Sequence, residues 1–272
     1  MTLSLAACGS KEESSEGKDS AEKKDGYTIG ATYYTLETEF CMRMDNYAKK
    51  YCEEKGINYT SYSGNNDAST QLKQVETMIT DGVDAIILNP QDADACAACV
   101  DAADEAGIPV FGVNTMVNSD KLTAYVGSQD VGAGEEIMQF MIDYMQKDAF
   151  NIVVLEGPMG QSGQVGRMAG FEEVGLLDYF DVVATQTANW KRDEAMALAE
   201  DWITTYGEDL KAIICENDDM GMGALSAAQA AGRDDIIIGG VDGLEDAVQA
   251  VKRRNLWGKC SSGFSRTGSY RR

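Results

Sequence analysis

Two short acidic motifs carry the groups best suited to chemistry. Glu216, Asn217, Asp218 and Asp219 follow directly on an apolar run at 212–215, and Asp242 follows on a β-branched run at 236–238. Asp218 and Asp242 offer two carboxyls of the kind glycosidases use as acid and base, although nothing in the neighbouring sequence would raise the pKa of either. With the amide of Asn217 they equally form a set of hydrogen-bonding groups for ligand hydroxyls. The chain has no His, which removes imidazole bases, His-containing triads and the commonest zinc ligand sets. Cys96-Ala97-Ala98-Cys99 has the spacing of a redox or zinc pair. No second pair supplies further ligands and the flanks are an alanine-rich helical pattern, so it reads as structural. The glycine-rich run 156–163 lacks the spacing and the Lys-Ser/Thr pair of a phosphate loop. No metal and no cofactor is expected.

These groups need elements to position them. The run 212–215 predicts a strand, 220–231 a helix ended by Gly232, and 236–238 another strand, so the polar groups fall in loops at strand carboxyl ends. In an open parallel sheet such loops share one rim, which would bring Asn217, Asp218 and Asp242 to a common crevice. Asp218 also fits as the cap of the helix that starts at Met220. The same alternation runs through the rest of the chain. Strands are predicted at 27–34, 57–62, 83–88 and 109–113, with helices at 40–55, 68–81 and 94–106. A second set begins near Ala133, with helix 135–146, strands 151–155 and 181–186, and helix 192–206. Pro90 cannot extend a ladder and leaves Asn89 at the tip of its strand. The expected fold class is α/β with parallel sheets.

Hydrophobic residues make up 44% of the 272, enough for one large core or two modest ones. All 45 Asp and Glu lie before residue 247, while seven of the 23 Lys and Arg fall in 251–272. A body this acidic does not present the basic face that nucleic acid requires, so no nucleic-acid partner is expected. The stretch 251–272 has no acid and no apolar period, and an acidic lobe would draw it onto itself. Seven Cys without framework spacing read as mostly free thiols. Residues 9–26 are rich in Ser, Glu and Lys and read as a flexible tether.

The pairing of E-N-D-D-M-G-M-G-A-L at 216–225 with G-G-V-D-G at 239–243 resembles the periplasmic sugar-binding proteins of ABC transporters, of the ribose and galactose type. The likeness runs over about 27–251. It implies two similar lobes, 27–128 and 129–250, each a parallel sheet with helices on both faces, which close on a small sugar and deliver it to an ABC transporter permease. It also implies a site. Asn89, Arg167, Asn217 and Asp242 would hydrogen-bond hydroxyls, Phe40 and Trp190 would sandwich the ring, and Thr38, Asn114 and Asp218 would stand beside them. Arg167 begins R-x-x-G-F, whose Arg reaches the sugar from the second lobe with planar donors. The chain departs from the family pattern in three places. Thr38 stands where Asn is common, Cys41 replaces a second aromatic, and Asn114-Thr115 stand where many members have Asp-Arg. Recognition by that last pair is neutral, so the ligand need not be ribose.

Leu5-Ala6-Ala7-Cys8 resembles the lipobox of bacterial lipoproteins. It implies a signal-peptide remnant at 1–8, lipidation of Cys8, and a monomer anchored to the outer face of the cell membrane or held in the periplasm. The family continues past 250 with a strand bearing a Gln ligand and the last strand and helix of the first lobe. Residues 251–272 do not, and read as an aberrant basic tail, truncated or out of frame. Two further classes stay open: a sugar or signal-molecule sensor feeding a chemoreceptor or sensor kinase through the same cleft, and a carboxylate-based glycoside-processing enzyme. A sugar-responsive repressor would need an N-terminal helix-turn-helix, which 1–26 does not supply.

Overall fold

The computed structural model describes residues 26–145 and 150–252. The lipobox with Cys8, the tether up to residue 25 and the tail from 253 onward lie outside them. The first half of the chain runs β1 (Thr28–Tyr33), α1 (Glu39–Lys55), β2 (Asn58–Ser63), α2 (Ala68–Asp81), β3 (Ala85–Asn89), α3 (Ala97–Glu105), β4 (Val110–Asn114) and β5 (Ala124–Gly127). The second runs α4 (Asp130–Met145), β6 (Asn151–Glu156), α5 (Ser162–Val174), α6 (Leu176–Tyr179), β7 (Asp181–Thr187), α7 (Arg192–Tyr206), β8 (Leu210–Cys215), α8 (Asp218–Ala230), β9 (Ile237–Gly239) and α9 (Glu245–Lys252). The strands pair in parallel as two sheets, ordered β2-β1-β3-β4-β5 and β7-β6-β8-β9. Among the described residues the chain passes from one sheet to the other once, through Ser128 and Gln129 between β5 and α4.

The apolar runs of the second half are unbroken because both faces of their sheet are buried. Val153, Leu155, Ile213 and Cys215 belong to one apolar cluster with α7 and α8, and Ile152, Val154, Ala212 and Ile214 to another with α4 and α5. Successive side chains of a strand point to opposite faces, so a central strand with helices above and below has no polar position to alternate with. The first sheet packs Ile86, Leu88 and Val110 against Val75 and Met78 of α2 and Val100 of α3. Its β4–β5 flank is more open, with Phe111 and Val126 exposed, the latter by 70%.

Three helices start behind a side-chain oxygen that meets a free backbone N–H group. Thr38 caps α1 and accepts the Cys41 N–H at 3.4 Å, Asp67 caps α2, and Asn217 caps α8 by accepting the Met220 N–H at 2.9 Å. The expected cap Asp218 is therefore corrected: α8 begins at Asp218 itself, and the residue before it does the capping. α4 starts at Asp130, five residues before the expected 135. Val251 and Lys252, expected in the aberrant tail, complete α9, where Val251 packs against the core. Cys96 sits at the N-cap of a short α3, so the Cys pair straddles a helix start. The five described cysteines are free and buried.

Helices α7 and α8 approach at Gly223, where a Cβ would lie 2.1 Å from the carbonyl oxygen of Arg192. Backbone cannot rotate out of the way as a side chain can. Gly223→Ala is expected to push the two helices apart and cost about 1–3 kcal/mol in denaturant unfolding. A variant as stable as the parent would mean the helices have slack at this point.

Candidate functional site

Strand order reverses between β1 and β3 in the first sheet and between β6 and β8 in the second. Connections leave to opposite sides at such a point, and a crevice opens beyond the carboxyl ends of the strands. The expected site residues lie on these two rims. Thr38 and Phe40 follow β1, Asn89 ends β3 and Asn114 ends β4; Arg167 lies in α5 after β6, Trp190 follows β7, Asn217 and Asp218 follow β8, and Asp242 follows β9. The rims are in contact. The Ala93 N–H donates to the Gly160 carbonyl at 3.3 Å, the Met116 N–H to Ser162 Oγ at 2.8 Å, and Gln161 Nε2 to Gln91 Oε1 at 3.4 Å. Tyr34 and Cys41 of the first half share an apolar cluster with Trp190 of the second.

Arg167 is the hub of the second rim. Its guanidinium donates to the Glu216 carbonyl, stands 3.5 Å from Asp130 and 3.6 Å from Asp242, and lies 5.3 Å from the centroid of the Trp190 ring. The indole N–H donates to Gln161 Oε1 at 2.6 Å. Its ring passes over Gly157, where a Cβ would come within 2.0 Å of it, so the glycine-rich loop seats an aromatic rather than a phosphate. The Gly157 N–H in turn donates to Glu216 Oε2 at 2.7 Å. Asp218 uses Oδ2 to accept the N–H groups of Gly243 and Leu244 at 2.7 and 2.8 Å. That clamp fixes the loop carrying Asp242, whose φ of 123° is one an L-residue rarely adopts. Asn114, Asn189 and Trp190 also have positive φ on these rims. Such strain, roughly 1–3 kcal/mol each, persists where surroundings over-determine the backbone and is concentrated at ligand sites.

Three buried polar atoms of this network have no partner among the described residues: Arg167 Nε, Glu216 Oε1 and Asp218 Oδ1. Buried polar groups are rarely left so, and three on one rim point to a ligand that completes them. Burial pushes the Asp218 carboxyl up to about 7, with Asp242 adding to the rise. Burial also raises Asp242 to about 6 against the pull of Arg167, and holds Glu216 well above the usual carboxylate range.

Several expected ligand contacts are engaged inside the scaffold. Asn89 donates both amide hydrogens, to the Val113 carbonyl at 3.0 Å and Thr115 Oγ1 at 2.7 Å, and its Oδ1 accepts from the Cys41 thiol at 3.7 Å. Asn217 has its oxygen in the α8 cap and donates its Nδ2 hydrogen to the Trp190 carbonyl at 3.5 Å. At Asn114 it is the main chain that is engaged: its backbone carbonyl accepts from the Tyr125 hydroxyl at 2.7 Å. Phe40 is half-buried at the start of α1.

A family model for the periplasmic binding protein domain matches residues 29–262. The chain belongs to that family. It is 41% identical to a xylitol-binding protein of Mycolicibacterium smegmatis over 94% of this chain and 71% of the relative. It is 30% identical to a ribose import binding protein of Bacillus subtilis over 94% of this chain and 84% of the relative. An ABC transporter solute binding protein from Bacillus halodurans, solved with bound myo-inositol, matches with a TM-score of 0.78 at 31% identity over 86% of this chain and 82% of that one. The family resemblance carried by the two acidic motifs is thus established, and with it a type of fold built from two parallel α/β lobes.

In this periplasmic binding protein the sequence did not single out Tyr34, Asp130, Gln161 or Glu216 as site residues. Glu216 stands inside the quoted motif, and Asp130 only follows the crossing; their roles depend on Arg167, 49 and 37 residues away. The raised carboxyls have a stability consequence. Asp218 and Asp242 move up from an ordinary 3.8, so between that value and about 7 the native state binds more protons than the unfolded chain. Ligand-free stability should therefore fall as pH rises through that window and level off above it. Melts recorded from pH 4 to 8 are expected to show this slope, and Asp218→Asn to flatten it and raise the melting temperature near pH 7.5. An unchanged slope in the variant would place the titrating group elsewhere.

Proposed function

We propose that this chain is an extracytoplasmic solute-binding protein that captures a small sugar or a related polyol between its two lobes, 27–128 and 129–250, and hands it to an ABC transporter permease. The observation that carries this reading is the trio of unpartnered buried atoms around Arg167, with an indole beside them. A polyol supplies donors and acceptors on its rim and an apolar C–H face for an aromatic ring. Arg167, Asp242, Asp218 and Glu216 would meet hydroxyls, and Trp190, Tyr34, Phe40 and Cys41 would form the apolar walls. The named relatives, which bind xylitol, import ribose or hold myo-inositol, support the ligand class.

Entry requires the rims to part, because Tyr34, Cys41 and Trp190 lie in one cluster when they meet. A ligand that touches both rims shifts an open–closed equilibrium toward the closed state by its differential affinity for the two. The permease would then read the closed pair of rims. Lipidation at Cys8 would keep the protein at the outer face of the membrane. Burial accounts for the raised carboxyls of Asp218 and Asp242, and the relatives named above are binding proteins, which supports capture over hydrolysis.

The test is a thermal melt of the full chain against pentoses, hexoses, pentitols and inositols. A ligand at a hundredfold its dissociation constant adds about 2.7 kcal/mol to stability and raises the midpoint accordingly. Arg167→Ala is expected to weaken that ligand by at least about tenfold, since it removes a hydrogen-bonding charge. A cooperative melt that no polyol moves would sink the reading.

A further inference from the structure

The three rim-to-rim hydrogen bonds described above all end on Gly160, Gln161 and Ser162 of the glycine-rich loop. Gly160 lets the opposite rim come close: its φ is 85°, and a Cβ there would lie 2.3 Å from Asp92 Oδ2. Gln161 differs from its two neighbours because the side chain that bonds the first rim also holds the indole. It is 1% exposed, its Oε1 accepts the Trp190 N–H at 2.6 Å, and its Nε2 donates to Gln91 Oε1 at 3.4 Å. One amide thus spans the cleft, from an aromatic of one lobe to a side chain of the other.

Helix capping does not account for that side chain. Gln161 is the N-cap of α5, yet it makes no side-chain capping bond, where Ser, Asn or Asp would. On the first lobe its partner is held firmly. The Gln91 N–H donates to Gln71 Oε1 at 2.7 Å, and the fully buried Gln71 donates through Nε2 to the Asn89 carbonyl at 2.9 Å and to Thr32 Oγ1 at 3.3 Å. Gln91 is thereby bolted to β3 and β1. Parting the rims breaks the Gln91 bond and leaves the indole bond. Water would meet the freed hydrogen in the open state; in the closed state Gln91 does, and an amide that donates at one end accepts more strongly at the other. Closure therefore firms the seat of the ring, and a ligand packed against the ring favours closure.

Resting on the polyol-capture reading above, we propose that Gln161 is a positioning residue of the cleft: through Gln91 it latches the closed lobes, and through the Trp190 indole it makes the aromatic wall firm in that state. A latch made on closure acts on release. It slows dissociation and leaves association alone, because a ligand enters while the rims are parted.

Stopped-flow tryptophan fluorescence of the full chain at pH 7, with xylitol, ribose and myo-inositol as probes, tests this. For a probe that binds, Gln91→Ala, which leaves the indole bond in place, is expected to raise the dissociation rate about fivefold with the association rate unchanged. Gln161→Ala should raise it further, since both bonds go, with Gln161→Met as the second variant should the first not melt cooperatively. In the double variant the Gln91 change should add nothing, because its partner is already gone. A release rate unmoved by Gln91→Ala, or losses that multiply in the double variant, overturns the latch and leaves the polyol reading intact. A fall in the association rate alone does the same, because it would assign Gln161 to the open state. If no probe binds a parent chain that melts cooperatively, the polyol reading falls and this inference with it.

Discussion

The guanidinium of Arg167 holds the second rim together. One planar group ties the end of β8 through the Glu216 carbonyl, the start of α4 through Asp130 and the loop after β9 through Asp242, while the Trp190 ring lies alongside. These segments are remote in sequence and meet only because β6 and β8 are neighbours at the point where strand order reverses. A buried cation among carboxylates is stable only when its geometry is satisfied on several sides. The arrangement is therefore all or nothing, and the loops around it inherit its rigidity.

Around that centre the amides serve the scaffold and the acids are left over. Asn89 braces β3 against β4, and Asn217 caps α8 and steadies the backbone at Trp190. Asp218 clamps the loop of Asp242 with one oxygen and keeps the other unpartnered. Rigid support beneath a few incompletely bonded groups is what a binding site requires, because a ligand then meets donors and acceptors already in place.

Much of this was legible in the chain. Unbroken apolar runs ending in polar residues marked strands whose tips bear the candidate site, and the two acidic motifs marked the family. What was not legible depends on distance. Asn217 and Asp218 are both acceptable caps, and local pattern gave no reason for Asp218 to reach 25 residues onward to Gly243. The glycines at 157 and 163 excluded a phosphate loop by spacing, but their use as the seat of an indole required β7 to be beside β6. Nothing next to Asp218 in sequence would raise its pKa; burial under a folded second lobe does. Tyr34 ended a strand like any other aromatic until the opposite rim came to lie against it.

The crossing at Ser128 and Gln129 bears on what any affinity of this protein would mean. It leads straight into α4, where the Ser128 hydroxyl donates to Asp130 at 3.1 Å, and Asp130 is one of the carboxylates beside the Arg167 guanidinium. The connection between the sheets is thus anchored to the same group that organises the second rim. A substitution at Ser128, remote from any occupant of the cleft, would shift how Asp130 and Arg167 are held and so change affinity without altering a single contact to the ligand.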